Sequence, residues 1–457
     1  MPQVTKIENA AFIITVDADR RIVKNGSLLI ADDRITQVAK SDDLRDTPSD
    51  QIIDATDMVI TPGFLNGHMH ISYAHATRGI FPDDLGAAYF PYLFSLQLIM
   101  TPEEEYYTSL LALTELLKYG TTTLVDPGST KHLDACIEAY RESGCRIIVG
   151  QQVTDKPNPW NLPVYTTDEA LKLTADTIGR WDGELSGRVS AWAMPFAREY
   201  CSDELLTGLK RIVDEHSTGL TIHHSQTVPA TEGSPELNVS STQKLADLGV
   251  LGPNVTLAHA LGISVADVEI IAASGARVIM CPTAAIKGGS GMTNSALLPE
   301  LLEAGVPVGL GTDAGNNSNL VESMRAMYLA AVLYKDGRRD VSQIPAETAV
   351  ELATLRCAQA LGLDGDVGSL EEGKKADLVM FDTRRAEWRT LFNPINNLVY
   401  NADGRSVHTV MVDGRVVVEN HDPTFVDEWE LIQKVQTIGE NLLERSGVSF
   451  PSRWPIV

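Results

Sequence analysis

The stretch TPEEEYYTSLLALTELLKYGTTTLVD, residues 101–126, contains one complete repeat unit of the fold. Thr101 is placed to cap a helix. Pro102 takes the first helical position, where its missing N–H costs nothing, and Glu103, Glu104 and Glu105 set negative charge in the first turn. Gly120 stops the helix, and residues 121–126 follow at once as a β-branched strand. Outward from this unit the same alternation continues. Strand-like text recurs at residues 58–70, 146–149, 189–194, 220–224, 255–259, 278–281 and 306–311, separated by helical stretches. With residues 121–126 these make eight strands. Regular strand–helix alternation predicts an α/β chain with a parallel sheet, and eight units predict a closed (β/α)8 TIM-like barrel over an open doubly wound sheet. No GxGxxG follows the first strand, which argues against dinucleotide binding.

The two ends of the chain read differently. Residues 11–16, 26–30 and 34–38 are short alternating strands broken by Asp and Gly turns, and the texture returns at 376–381 and 407–418, where Asp413-Gly414 is a hairpin turn. Neither group could bury a face alone, so together they predict a small β-sandwich domain built from both chain ends. The expected division is 1–60 for the N-terminal part of that sandwich, 61–365 for the barrel, 366–423 for the returning part and 424–457 for a helical tail. Its amphipathic stretch, residues 427–444, should pack on the outside of the molecule or on a neighbour.

The 457 residues are 44% apolar and 21% charged, an ordinary globular composition that needs no cross-links to hold a core. Five cysteines, Cys136, Cys145, Cys201, Cys281 and Cys357, are scattered without a CxxC pair, which points to a reducing compartment and away from a thiolate metal cage. A net charge of −24 repels phosphate backbones and anionic lipid. It sets aside nucleic acid and membrane as partners and leaves a small neutral or apolar organic substrate. No window approaches the ~20 consecutive apolar residues of a spanning helix, and the N-terminus lacks a leader pattern, so the expected location is cytoplasmic.

In barrels of this kind reactive groups sit at the C-terminal ends of strands. The first strand ends Phe64-Leu65-Asn66-Gly67-His68-Met69-His70. Alternation puts His68 and His70 on one side and Leu65 and Met69 on the helix side, and two imidazoles together make half a zinc or iron site. HxH also arises by chance in surface text. In Leu220-Thr221-Ile222-His223-His224 the apolar positions face outward, so His223 points inward and His224 lies outward or at the rim. His259 ends the strand at 255–259; alone it would be a satisfied core histidine, and its position at a strand end favours a functional role. At 306–313, Gly309, Gly311 and Asp313 share one side. Small residues below an inward carboxylate suit a catalytic strand, and a plain helix cap is the simpler alternative.

Taken together these residues resemble the amidohydrolase superfamily, in the branch with cytosine deaminase and the triazine hydrolases. The match rests on Thr61-Pro62-Gly63-Phe64 leading to His68 and His70, Gly120-Thr121-Thr122-Thr123, His223, Leu257-Ala258-His259 and Gly311-Thr312-Asp313, with residues 368–379 and 412–416 matching the returning sandwich. It spans nearly the whole chain. The resemblance implies that His68, His70, His223 and Asp313 hold one divalent metal ion per chain, Zn2+ first among Fe2+, Co2+ and Mn2+, and that His259 acts beside it with Asp313 as proton acceptor. It also implies a homo-oligomer. Related branches bridge two metals with a carboxylated lysine on the fourth strand, and residues 189–194 contain none.

Three departures shape the expected chemistry. Gln226 stands where the deaminases carry a glutamate, and an amide cannot shuttle a proton. The seventh strand runs into Met280-Cys281-Pro282-Thr283-Ala284-Ala285 in place of a histidine and then a Ser-Asn pair. Met280, Trp192, Phe196, Tyr73 and Phe81, with Gln226 and His224, are the expected pocket residues. These changes favour cleavage of an amide, urea or (thio)carbamate C–N bond, phenylurea hydrolase-like and directed at a xenobiotic. The alternative is a deaminase or chlorohydrolase of an aromatic heterocycle (s-triazine, pyrimidine or purine type), and the second alternative is a non-catalytic binding protein of the same fold.

Overall fold

The computed structural model describes residues 2–160, 162–226, 239–316 and 319–456. Eight parallel strands form the barrel in two four-stranded halves. The first half is Phe64–Asn66, Thr121–Val125, Arg146–Val149 and Val189–Ala191; the second is Leu220–His224, Val255–His259, Arg277–Met280 and Val308–Leu310. The halves close on each other at two seams. At one, the Thr221 N–H donates to the Ala193 carbonyl at 3.0 Å; at the other, the Gly67 N–H donates to the Leu310 carbonyl at 2.9 Å.

Between strands the helices form as their termini dictate. The helix Pro102–Lys118 carries the expected reciprocal cap, Thr101 and Glu104 each bonding the other's backbone N–H, and Gly120 follows at φ +83°. The tail helix Glu428–Ser446 is capped by Asp427 and lies on the outside against Pro102–Lys118, with Lys434 to Glu103 and Arg445 to Glu104 as ion pairs. All five cysteines are buried and free. No helix among the described residues is long and apolar enough to cross a membrane.

One expected strand divides. Residues 58–70 are not a single barrel strand: Met58–Pro62 belongs to the end domain, and after Gly63 the chain enters the barrel at Phe64. A Cβ on Gly63 would run into the Thr122 side chain, so the crossing has room for glycine alone. The end domain is one nine-stranded mixed sheet in which both chain ends interleave. Met58–Pro62 pairs with Val4–Ile14 on one side and antiparallel with Leu378–Asp382 on the other. Its core joins Ile7, Ile13, Leu28 and Ile60 from the N-terminal strands with Leu378 and Met411 from the returning ones. The hairpin turn at Asp413-Gly414 has both residues at positive φ, as a two-residue turn between right-twisted strands requires.

The inside of the barrel is filled from below. The helix Leu355–Leu361 contributes Cys357, Ala358 and Leu361 to a cluster with Leu65, Val125, Ile148 and Ile279. These come from the first, second, third and seventh strands, and the seventh meets the other three only across the interior. Leu65 therefore faces inward, against the expectation that it faces the helices. The alternation on that strand breaks at the bend of Gly67, whose missing Cβ makes room for Ile279, and the two histidines lie beyond the break.

Candidate metal centre

At the open end of the barrel four imidazoles and one carboxylate converge from four strand ends. The ring of His68 lies 4.8 Å from that of His223, 4.9 Å from His259 and 5.0 Å from His70, centroid to centroid. Asp313 Oδ1 is 3.4 Å from His70 Nε2 and 3.9 Å from His68 Nε2. Two overlapping sets have donor atoms within 4.8 Å of one another: His68 with His70 and His223, and His68 with His259 and Asp313.

How each side chain arrives differs. His223 follows simple strand alternation: Leu220 and Ile222 join the outer core, and His223 turns in. His259 does not. Strict alternation would send it the way of Val255 and Leu257, both in the outer core. Its backbone instead adopts φ +77°, and its ring joins the cluster. Asp313 is likewise left-handed, at φ +61°, with its N–H donating to the His68 carbonyl at 2.9 Å. Non-glycine residues in this region are held there by their surroundings, at a cost of roughly 1–3 kcal/mol each, and such strain concentrates at functional sites. Gly309 and Gly311 clear the space beneath: a Cβ on Gly309 would strike Cys357 and Ile279, and one on Gly311 would press on His68 and Cys281.

The hydrogen bonds fix which nitrogens are bare. His223 Nδ1–H donates to the Phe196 carbonyl at 2.8 Å, so its Nε2 carries a lone pair, 3.4 Å from His70 Nε2. His70 Nδ1 meets Ser129 Oγ, leaving Nε2 toward the cluster. Both nitrogens of His68 and Nε2 of His259 are buried without a partner among the described residues. Orphaned imidazole nitrogens this deep are costly unless something binds them. Burial, reinforced by the neighbouring histidines, holds His68 and His70 well below the usual histidine range; burial takes His223 and His259 down to about 4. All four are thus neutral near pH 7, the state a metal requires. Burial raises the Asp313 carboxyl, and its bond from the Ala314 N–H at 2.7 Å and the proximity of His223 oppose the rise. A set of neutral imidazoles and one carboxylate around orphaned lone pairs fits a borderline divalent ion such as zinc.

The expected pocket residues divide. Tyr73 is beside the cluster, its ring 6.0 Å from His70. Phe196 lies 5.0 Å from the His223 ring and opens an aromatic wall: Trp160 is 5.4 Å from it and Phe90 5.7 Å from Trp160. Phe81 is further out, packed on Tyr89 and on Phe450 of the tail. Three expectations are corrected. Met280 points to the outer core and its neighbour Cys281 faces in. Trp192 packs over Gly219, at the end of the fifth strand opposite His223, so it is barrel filling. His224 takes the outward of its two expected placements, buried with its Nε2 2.9 Å from Thr242 Oγ1, and so leaves the set of pocket residues. Gln226 is exposed and is the last described residue before 239. Sequence reasoning missed Ser129, although it sits three residues past Asp126 at the end of the second strand, where a check of every strand end would have found it.

Comparison with known proteins places this geometry. Residues 59–417 match the model of the amidohydrolase family. A 5'-deoxyadenosine deaminase of Methanosarcina acetivorans is 31% identical over 439 residues, covering 95% of this chain and 98% of that one. Among solved structures, an adenosine deaminase from Xanthomonas campestris with bound zinc superposes with a TM-score of 0.88 at 22% identity, over 97% of this chain and 99% of that chain. An atrazine chlorohydrolase from Arthrobacter aurescens complexed with zinc gives 0.85 at 22% identity, over 95% and 100%.

Proposed function

Since the chain belongs to the amidohydrolase family and is a hydrolase acting on carbon–nitrogen bonds, we propose that it removes the exocyclic amine of a small aromatic N-heterocycle by hydrolysis. The observation that carries this reading is the convergence of His68, His70, His223, His259 and Asp313 at one mouth of the barrel, beside an aromatic wall. Full-length relatives named as deaminases favour the heterocycle over the urea or amide substrate that Gln226 and the seventh strand suggest.

His68, His70, His223 and Asp313 would hold the ion. When bound, a divalent metal supplies water that ionises near neutral pH and polarises a substrate atom. The protein's own groups do the rest. Asp313 would be the proton acceptor within the cluster. His259, whose Nε2 has no partner among the described residues and whose ring lies against His68, is placed to donate an Nε2–H to the oxygen or nitrogen on which charge develops. Phe196 and Trp160, packed edge to face, offer an apolar corner against which a planar ring can rest and from which water is excluded. Gln226, if turned toward the ring, could hold a ring nitrogen but could not protonate it, so the heterocycle it suits is electron-poor enough to need little proton assistance.

Zinc-loaded protein assayed for ammonia release from adenosine-type nucleosides, aminopyrimidines and amino-s-triazines tests the reading, with phenylureas and anilides alongside. Turnover of a heterocycle is expected. Cleavage of ureas or anilides with all heterocycles inert would overturn it in favour of the other C–N substrate class.

A further inference from the structure

Of the three histidines that form one ligand-like set, each treats its outer nitrogen differently. His223 is fixed by a backbone carbonyl, that of Phe196. His68 has no partner on either nitrogen among the described residues. His70 alone is met by a side chain, Ser129 Oγ at Nδ1. Ser129 is buried, and its position is set from a distant element: the Gln97 amide donates to the Ser129 carbonyl. Gln97 is a buried amide on the helix Phe90–Ile99, the same helix that presents Phe90 to the aromatic wall.

We propose that Ser129 is a positioning residue that fixes His70 as the Nδ1–H tautomer with Nε2 aimed into the cluster, and that Gln97 holds Ser129 in place to do so. This rests on the metal-centre reading above. With the hydroxyl accepting from Nδ1–H the lone pair is left on Nε2, the form that suits a metal donor, and Nε2 lies 3.4 Å from both Asp313 Oδ1 and His223 Nε2. Without the hydroxyl both tautomers and a ring flip become accessible; the other tautomer turns an N–H toward the cluster and the flipped ring a C–H, and neither offers a lone pair there. An outer partner of this kind typically changes metal affinity by ~10–100-fold. Because Gln97 sits on the helix that also carries Phe90, the aromatic wall and the metal donors share one mechanical link.

The test is zinc affinity of the full chain, stripped and then titrated in competition with a chromophoric chelator. Wild type should bind about one ion per chain. Ser129→Ala should bind ~10–100-fold more weakly, Ser129→Thr should stay within a few-fold of wild type because it keeps the hydroxyl, and Gln97→Leu should shift in the same direction as Ser129→Ala. If wild type holds no zinc, the metal-centre reading itself fails. If wild type binds and Ser129→Ala binds equally well, or Ser129→Thr loses as much as Ser129→Ala, the positioning role is wrong while the metal centre stands.

Discussion

The Asn66 side chain joins the two strand ends that carry the site. Its Nδ2 donates to Thr312 Oγ1 at 2.7 Å and its Oδ1 accepts the Thr312 N–H at 3.1 Å. Asn66 stands two residues before His68 and Thr312 one before Asp313, and both are 1% exposed. The amide thus sets the distance between an imidazole and a carboxylate that the sequence keeps far apart.

Asn66→Ala should therefore cost about 1–3 kcal/mol, because the Thr312 N–H is left buried and unpaired. Zinc affinity should fall as well. Urea unfolding of the metal-free protein measures the first effect and chelator competition the second; an unchanged affinity would mean that the barrel seam alone registers the two ends.

Asp313→Asn separates function from stability. Burial already disfavours the charged carboxyl, so the neutral amide should leave metal-free stability unchanged or improved. Turnover should drop by ~10²-fold or more, since an amide accepts no proton. A variant that unfolds more readily than wild type would show that the carboxylate is structural.

Gln226→Glu supplies the acid that this chain lacks. If residue 226 reaches the substrate, deamination of a purine-type or pyrimidine-type ring should rise by ~10²–10⁴-fold, with a new acidic limb in the pH–rate profile. An unchanged rate and profile would place the proton donor elsewhere.

A fourth outcome concerns Asp126, buried at the end of the second strand with the Tyr140 hydroxyl donating to its Oδ2 at 2.9 Å and its Oδ1 without a side-chain partner among the described residues. Desolvation pushes this carboxyl up to about 7. The folded state then holds a proton that the unfolded chain gives up above pH ~4, so stability declines as pH rises from ~4 to ~7. Asp126→Asn removes that decline. It should match wild type near pH 4 and exceed it at pH 8 by up to a few kcal/mol, read from urea midpoints. Equal slopes for both proteins across that window would count against the buried acid.

Much of this was legible in the chain. Thr101, Pro102 and Gly120 announced their helix because caps act locally, and His223 was correctly turned inward because its strand alternates without interruption. Where the backbone departs from regular geometry, pattern reading failed. The bend at Gly67 reversed the expected facing of Leu65, and the left-handed turn at His259 carried into the cluster a side chain that alternation would send outward. Met280 and Trp192 were offered as pocket walls on their size alone; alternation along 277–281 would have assigned the inward place to Cys281. Ser129 lay within reach of a check of the second strand's end, but its link to Gln97 did not: that contact joins segments 32 residues apart, and nothing local marks it.

The crossing at Gly63 bears on how the molecule is made. The strand that delivers His68 is anchored through Met58–Pro62, whose partner Leu378–Asp382 is synthesised only after all eight barrel strands, and the Gly63 N–H itself donates to the Asp377 carbonyl at 2.9 Å. Until that segment is made, Met58–Pro62 is held on one edge alone, by Val4–Ile14, and its other edge is bare.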